Sequence, residues 1–426
     1  MLVPWELFYL SPSMRFAPTK LLSSFGTASP STAMPPSPPS TLPEWLAKAR
    51  SEAYLYNVFA TLSVRERDRH YARMMSLAGN NESTSQLVPP EEKENASYYS
   101  VAIGGNVDNQ WKNRYSNVWP YDRTRVIVRK QGGCTSGSIE GDAGQGRYIN
   151  GSWVKELYGG NLWIATQAPL RETIHSFLGA ISRPIAASPP SSAINLPAGS
   201  RIRTIVQLTL NIENGRPKGD SYFPSDLKPL MRVLPEQGCD APAFRVALLE
   251  QKVIKKANCM QSKVSITPDV ANPGEPIVFT HMLYMAWPDQ GVPERKDLAS
   301  LLSFIRLVDF INRSPSPGHS NDDPEPPLMV HCSAGVGRTG TFITLMSLLH
   351  TLGLLASSSQ ATLKPIPTVS IPSSPLGPLP REVQDDPVAQ EIDYLREQRP
   401  RMVERFEQLR LIYEILELAM SERNTV

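Results

Sequence analysis

One ten-residue string restricts the fold of this chain more than any other: HCSAGVGRTG at 331–340. It follows a short apolar run, LMV at 328–330, and precedes a helical run that starts near Thr341. A strand therefore ends in a glycine-rich loop that opens a helix, and such a unit belongs to an α/β fold. Successive backbone N–H groups and the positive end of the helix dipole converge there, which makes the loop an anion site. Cys332 opens it. A thiol facing a helix N-terminus and an arginine loses its proton readily, and the thiolate is the nucleophilic form. Arg338, six residues on, can return over the loop and fork onto two oxygens of a phosphate. Gly335 and Gly337 leave room for a tight backbone, and Ser333, Ala334 and Val336 complete the cradle. Thr339 can donate its hydroxyl toward the sulfur, and His331 orients the loop. A bare Cys-x5-Arg match reads more readily as an inert buried cysteine beside a glycine turn; the full string in this context does not. The nucleotide pattern G-x-x-x-x-G-K-[ST] is absent.

Composition bounds the rest. Hydrophobic residues at 41% and charged residues at 20% suffice for a real core, so wholesale disorder is excluded. Proline, at 40 of 426 residues, is about twice as common as usual, so the folded part is shorter than the chain. A net charge of +2 gives no polyelectrolyte argument for nucleic acid. Four cysteines make no disulfide framework. No uninterrupted apolar stretch is long enough for a transmembrane helix, and the N-terminal MLVPWELFYLSPSMRF lacks the basic start of a secretory signal. The expectation is a cytoplasmic protein, with the nucleus also open.

The chain divides into a Ser/Pro-rich leader at 1–42, read as disordered, and one domain at 43–426 with Pro/Ser-rich inserts near 183–200, 313–327 and 356–387. Helical spacing runs over 43–77, where Trp45, Leu46, Ala49, Ala53, Tyr56 and Phe59 recur at threes and fours. Residues 79–98 read as a loop. Strands and turns are expected over 111–170 and 201–285, and helices over 297–312, 341–355 and 387–420. RERDRHYAR at 65–73 reads as a solvated helix face. Ser-Pro steps at Ser29, Ser37, Ser188 and Ser374 fit proline-directed kinases, although composition alone accounts for any single one.

The Cys332 loop resembles the signature of the Cys-dependent protein tyrosine phosphatases. In the expected order follow KNRYSNVWPYDRTRV at 112–126, YINGS at 148–152, IATQAPL at 164–170, WPDQGVP at 287–293 and LREQRPRMVERFEQLRLIYEIL near the C-terminus. The resemblance covers about 43–422 and is similar to the soluble, non-receptor, fungal-type members. It implies a single α/β domain: a central twisted mixed sheet flanked by helices, with the Cys loop between a strand and a helix. It implies hydrolysis of phosphotyrosine in proteins through a Cys332 thiophosphate, with Asp289 as general acid and then base. It makes Tyr115 the wall of a deep phosphotyrosine slot and Asn117 a contact to the peptide backbone. Glu213 would hold Arg338 from behind, and Lys218 would face the Asp289 loop. Alone, Tyr115 reads equally as half-buried core and Lys218 as a solvated surface residue.

The chain departs from the family pattern at Glu404-Arg405, where Gln-Thr is usual, while the later glutamine is kept as Gln408. A charged Glu404 near a thiophosphate would repel it and slow the second step; a shifted helix start would instead leave the water to Gln408. Leu178 stands where Trp is common and Gly219 where Cys is common. No metal or organic cofactor is implied. The expected partners are tyrosine-phosphorylated proteins, with a mitogen-activated protein kinase as one candidate, and the expected state is a monomer. Two rival readings are a phosphotyrosine-binding relative with poor turnover, and a dual-specificity phosphatase with a shallower pocket.

Overall fold

The apolar run before the Cys loop becomes the central strand of the molecule. The computed structural model describes residues 42–78, 89–128, 146–182, 200–239, 241–289, 291–314, 323–356 and 363–424. The expected leader and most of the first two inserts lie outside these residues. The strands are β1 (Arg125–Val128), β2 (Arg147–Lys155), β3 (Leu162–Thr166), β4 (Thr204–Gln207), β5 (Ile212–Glu213), β6 (Arg216–Pro217), β7 (Met231–Val233), β8 (Phe244–Ile254), β9 (Cys259–Pro268), β10 (Ile277–Tyr284) and β11 (Leu328–His331). Nine of them form one sheet in the order β1-β2-β3-β11-β4-β10-β9-β8-β7. The four middle strands, β3, β11, β4 and β10, run parallel to their neighbours within this group, and the flanks are antiparallel. The sheet is therefore mixed, as the resemblance implied.

Strand β11 lies between β3 and β4, with His331 opposite both Thr166 and Gln207. Covered on both faces, it is apolar and fully buried. Leu328 and Val330 join the core on one face, and Met329 joins the core on the other, as the two-residue period of a strand requires. The helix that follows, Gly337–Thr351, is buried almost all round. Leu178, at the Trp position, is fully buried in the second core.

The other helices are α1 (Glu44–Lys48), α2 (Glu52–Ala78), α3 (Pro90–Tyr98), α4 (Ala102–Gly105), α5 (Val107–Gln110), α6 (Ile174–Ser182), α7 (Leu298–Arg313), then α8 (Gly337–Thr351, above), α9 (Pro387–Gln398) and α10 (Phe406–Asn424). Among the described residues no helix is long and apolar enough to cross a membrane. Two expectations fail here. Residues 90–98 are helical rather than loop, with Pro90 at the first turn, where its missing N–H costs nothing. The 43–77 pattern is two helices, and the break at 49–51 resets the phase. The buried stripe of α2 is Leu55, Val58, Leu62, Arg65, Arg69, Ala72 and Arg73, whereas Tyr56 is exposed.

That stripe also overturns the solvated reading of 65–73. Arg69 is fully buried, its Nη2 2.6 Å from both Asp393 Oδ1 and Glu397 Oε1 of α9. Arg65 pairs with Asp393 at 2.9 Å, and Arg73 with Glu66 at 2.9 Å. Spacing of four residues stacks the three guanidinium groups on one face, where Asp393 and Glu397 meet the first two. The sequence pattern hid this because each arginine's partner is more than three hundred residues away, except Glu66.

Candidate active site

Parallel strands leave their C-terminal ends at one edge, and β11 delivers Cys332 there. The turn after β11 is fixed by backbone: Ala168 N–H donates to Ser333 O at 3.0 Å, and Leu208 N–H to His331 O at 2.9 Å. Gly335 has φ +72°, and a Cβ there would lie 2.1 Å from Thr166 O, so only glycine fits. Its N–H donates to Cys332 Sγ at 3.2 Å. Thr339 was expected to serve the sulfur in this way. It is fully buried in the first turn of α8, but its Oγ1 has no hydrogen-bond partner, so the sulfur is held by backbone instead. Cys259, buried in β9, is pushed up to about 11 by its apolar surroundings, which marks it as an inert thiol.

Arg338 is gripped along one edge. Its Nη1 donates to Glu213 Oε1 at 2.6 Å and to Leu208 O at 2.9 Å; its Nη2 donates to Glu213 Oε2 at 2.9 Å. Burial opposes the charge, but Glu213, the Cys332 sulfur and Asp289 outweigh it and raise the guanidinium further. Glu213 lies at the tip of a two-stranded hairpin, β5 and β6, whose turn residues Asn214 and Gly215 both have positive φ. Thr209 Oγ1 and Leu210 N–H also donate to Glu213 Oε1, so the carboxylate is itself oriented.

The same hairpin leads to Lys218, whose Nζ is 2.9 Å from Asp289 Oδ1. Asp289 Oδ1 is also 3.6 Å from Arg338 Nη2, and Pro288 O accepts from that nitrogen at 3.0 Å. The WPD segment is thus folded over the Cys loop, closed across its own base by Trp287 Nε1 donating to Gly291 O at 3.0 Å. Burial alone would raise the Asp289 carboxyl, yet the Lys218 ammonium and Arg338 hold it below the usual carboxylate range.

Tyr115 OH and Ser333 Oγ share a hydrogen bond of 2.8 Å, and Ser333 Oγ donates to Lys218 O at 2.8 Å. The KNRY segment is braced by Gln167, which accepts from Arg114 N–H at 2.9 Å and donates to Lys112 O at 2.8 Å. Asn117 lies exposed on the same loop. His331 is buried between Tyr222 OH at 3.1 Å and Cys332 O at 3.2 Å, and desolvation pushes it down to about 4.

Gln408 lies against the loop, since a Cβ on Gly337 would meet its Nε2 at 2.8 Å. Its Oε1 accepts from the N–H groups of Glu404, at 3.0 Å, and Arg405. The Glu404 carboxylate is paired with Arg401. Sequence reasoning passed over Arg399, one residue past α9. Fully buried, it donates to Gly335 O at 2.7 Å, Ala334 O at 3.1 Å, Ser152 Oγ and Asn150 Oδ1. Burial lowers it to about 10. The only signal was its place in the quoted LREQRPRM segment.

A thiol held by the Gly335 N–H at the start of a buried helix, with a carboxylate-gripped guanidinium and a carboxyl beside it, is the equipment for covalent phosphoryl transfer. The protein-tyrosine phosphatase family model matches residues 109–183 and 198–361. The chain belongs to that family. It is 32% identical over 245 residues, or 57% of its length, to human receptor-type tyrosine-protein phosphatase eta, and 29% identical over 247 residues, or 58%, to human tyrosine-protein phosphatase non-receptor type 18. It spans 14% of the first relative and 43% of the second.

Proposed function

We propose that this domain hydrolyses phosphotyrosine in proteins by a two-step route through Cys332. The observation that carries the reading is the convergence on one point of Cys332 Sγ, the Glu213-gripped Arg338 and the closed Asp289. The Cys332 thiolate attacks phosphorus, while Arg338 and the N–H groups of 333–338 take the equatorial oxygens. The phenolate leaves with the proton of Asp289. The Asp289 carboxylate then draws a proton from water beside Gln408, and the hydroxide releases the thiolate. Asp289 must carry a proton in the first step. A phosphate dianion bound by Arg338 would offset the cations that now lower its pKa, which shifts it in the required direction.

Tyr115, tied to the loop through Ser333, supports a phosphotyrosine slot over a shallow dual-specificity pocket, with Asn117 at its rim. The Arg401 pairing of Glu404 supports giving the water to Gln408, so Glu404 does not argue for a slow phosphotyrosine-binding relative. On the resemblance to soluble fungal members alone, the reading extends to a monomeric, non-receptor enzyme of the cytoplasm and nucleus, acting on a mitogen-activated protein kinase. The test is Asp289→Ala: kcat should fall about 10²-fold or more with KM little changed. The variant should retain a tyrosine-phosphorylated kinase from a lysate and release it to vanadate. Unchanged kcat would remove the general acid.

A further inference from the structure

The third insert is not a free loop. Its described residues 363–386 carry no helix or strand, yet they are seated on α2 and α9. Leu379 and Val383 are buried in the main core. Leu376 packs on the cluster of Ala72, Tyr99, Val101 and Tyr121. Arg65 donates to the backbone oxygens of Leu376, Gly377 and Pro378 at 2.8–3.3 Å. A tight turn starts at Ser374: Gly377 N–H donates to Ser374 O at 2.9 Å, with Gly377 at φ +67°.

Ser374 is the polar anchor of this turn. Its Oγ accepts from Leu376 N–H at 3.1 Å and donates to Glu397 Oε1 at 3.0 Å. Tyr99 OH lies 3.3 Å away. Glu397 Oε1 is already crowded with donors: Arg69 Nη2 at 2.6 Å, Arg69 Nε at 3.0 Å and Tyr99 OH at 3.0 Å. Arg65, Arg69 and Arg123 are the cations nearby, and each is engaged with Asp393, Glu397 or a main-chain oxygen, although Arg69 Nη1 has no partner. A cavity of about 280 Å³ opens beside Ser374, lined by Arg65, Asp393, Tyr394 and Glu397. Residues 371–373 before it are exposed, and Pro375 follows.

We propose that Ser374 is a phosphorylation site for a proline-directed protein kinase and that its phosphorylation unseats residues 371–383 from α2 and α9. The γ-phosphoryl group of ATP passes to Oγ: the Oγ–P bond forms, the bond to the β-phosphate oxygen breaks, ADP leaves, and the hydroxyl proton goes to the kinase's base. The ester oxygen can no longer donate to Glu397. The new dianion sits within reach of the Glu397 carboxylate, whose partner arginines are taken, so like charges are forced together. The turn clamps the middle of the segment, beside Leu376, Leu379, Val383 and the Arg65 contacts, while Lys364 N–H on Leu352 O and the Asp386 carboxylate under Tyr54 and Tyr413 hold its two ends, so loss of the turn opens the stretch between them locally.

The full chain is incubated with ATP and a proline-directed kinase, and site occupancy is read by mass spectrometry. Each sample is compared with its own untreated form by hydrogen exchange over 371–383 and by tryptic cleavage after the exposed Arg381. The expected result is phosphate on Ser374, with exchange and cleavage each faster by about tenfold or more. Ser374→Ala, treated alike, should change neither rate, even with other Ser-Pro steps modified. Failure to modify Ser374 while other Ser-Pro steps are modified overturns the site. Phosphate on Ser374 with protection unchanged, or increased through capture by Arg65 and the spare Nη1 of Arg69, overturns the release.

Discussion

Two arginine–carboxylate arrangements in this molecule use the same chemistry for opposite ends. Arg69 is sunk between α2 and α9, with no solvent exposure of its side chain and its Nε and Nη2 both spent on Asp393 and Glu397. Arg338 is paired as closely, 2.6 Å from Glu213, but only along one edge. Its other contacts include Pro288 and Asp289, which belong to a loop. A fully buried guanidinium shared between two carboxylates of a neighbouring helix holds helices together, whereas one locked from behind and faced by a loop is poised for an oxyanion ligand. Net stabilisation from the buried ladder is modest, because desolvation offsets much of the attraction; its removal is costly because it strands charge.

The sharpest way to break this contrast is Arg338→Lys. An ammonium keeps the charge but loses the fork, so kcat/KM should fall about 10³-fold or more while the thermal midpoint stays near the parent's. Near-parental kinetics would put Arg338 in the same structural class as Arg69. The reverse test is Arg69→Ala, which leaves Asp393 and Glu397 buried without their common partner. A loss of about 3–5 kcal/mol in urea unfolding is expected, with kcat per folded molecule close to the parent's. Unaltered stability, or selective loss of kcat, would erase the distinction.

Local pattern alone could not have told the two apart. Arg338 was legible as a phosphate ligand candidate because Cys332, two glycines and a strand–loop–helix context surround it within ten residues. The ladder was misread as a solvated face, because its carboxylates come from α9, far along the chain. For the same reason Arg399, whose partners are loop carbonyls and residues of β2, went unnoticed. The central strand was legible from its short apolar run and the buried helix α8 from its many apolar residues with no charge after Arg338, whereas the phase of α2 was lost at the 49–51 break. Thr339 was assigned a bond to sulfur that the Gly335 N–H makes instead.

The smallest effect belongs to the position where the chain departs from the family pattern. The Glu404 carboxylate is paired with Arg401, and that pairing would weaken its repulsion of a phosphoryl group on Cys332. Glu404→Gln should change the steady-state rate by less than about twofold, with no burst of phenol lost or gained. Gln408→Ala should slow the second step and produce a burst. A marked rate gain in Glu404→Gln would instead show that the charge acts on the thiophosphate.

The central claim, a covalent phosphoryl group on Cys332, is tested most directly by acid-quenching the enzyme within its first turnover on a phosphotyrosine peptide and mapping the adduct by mass spectrometry. The account predicts one phosphoryl group on the peptide that carries Cys332, absent in Cys332→Ser together with all turnover. An adduct on another residue, or turnover that survives in Cys332→Ser, would contradict it.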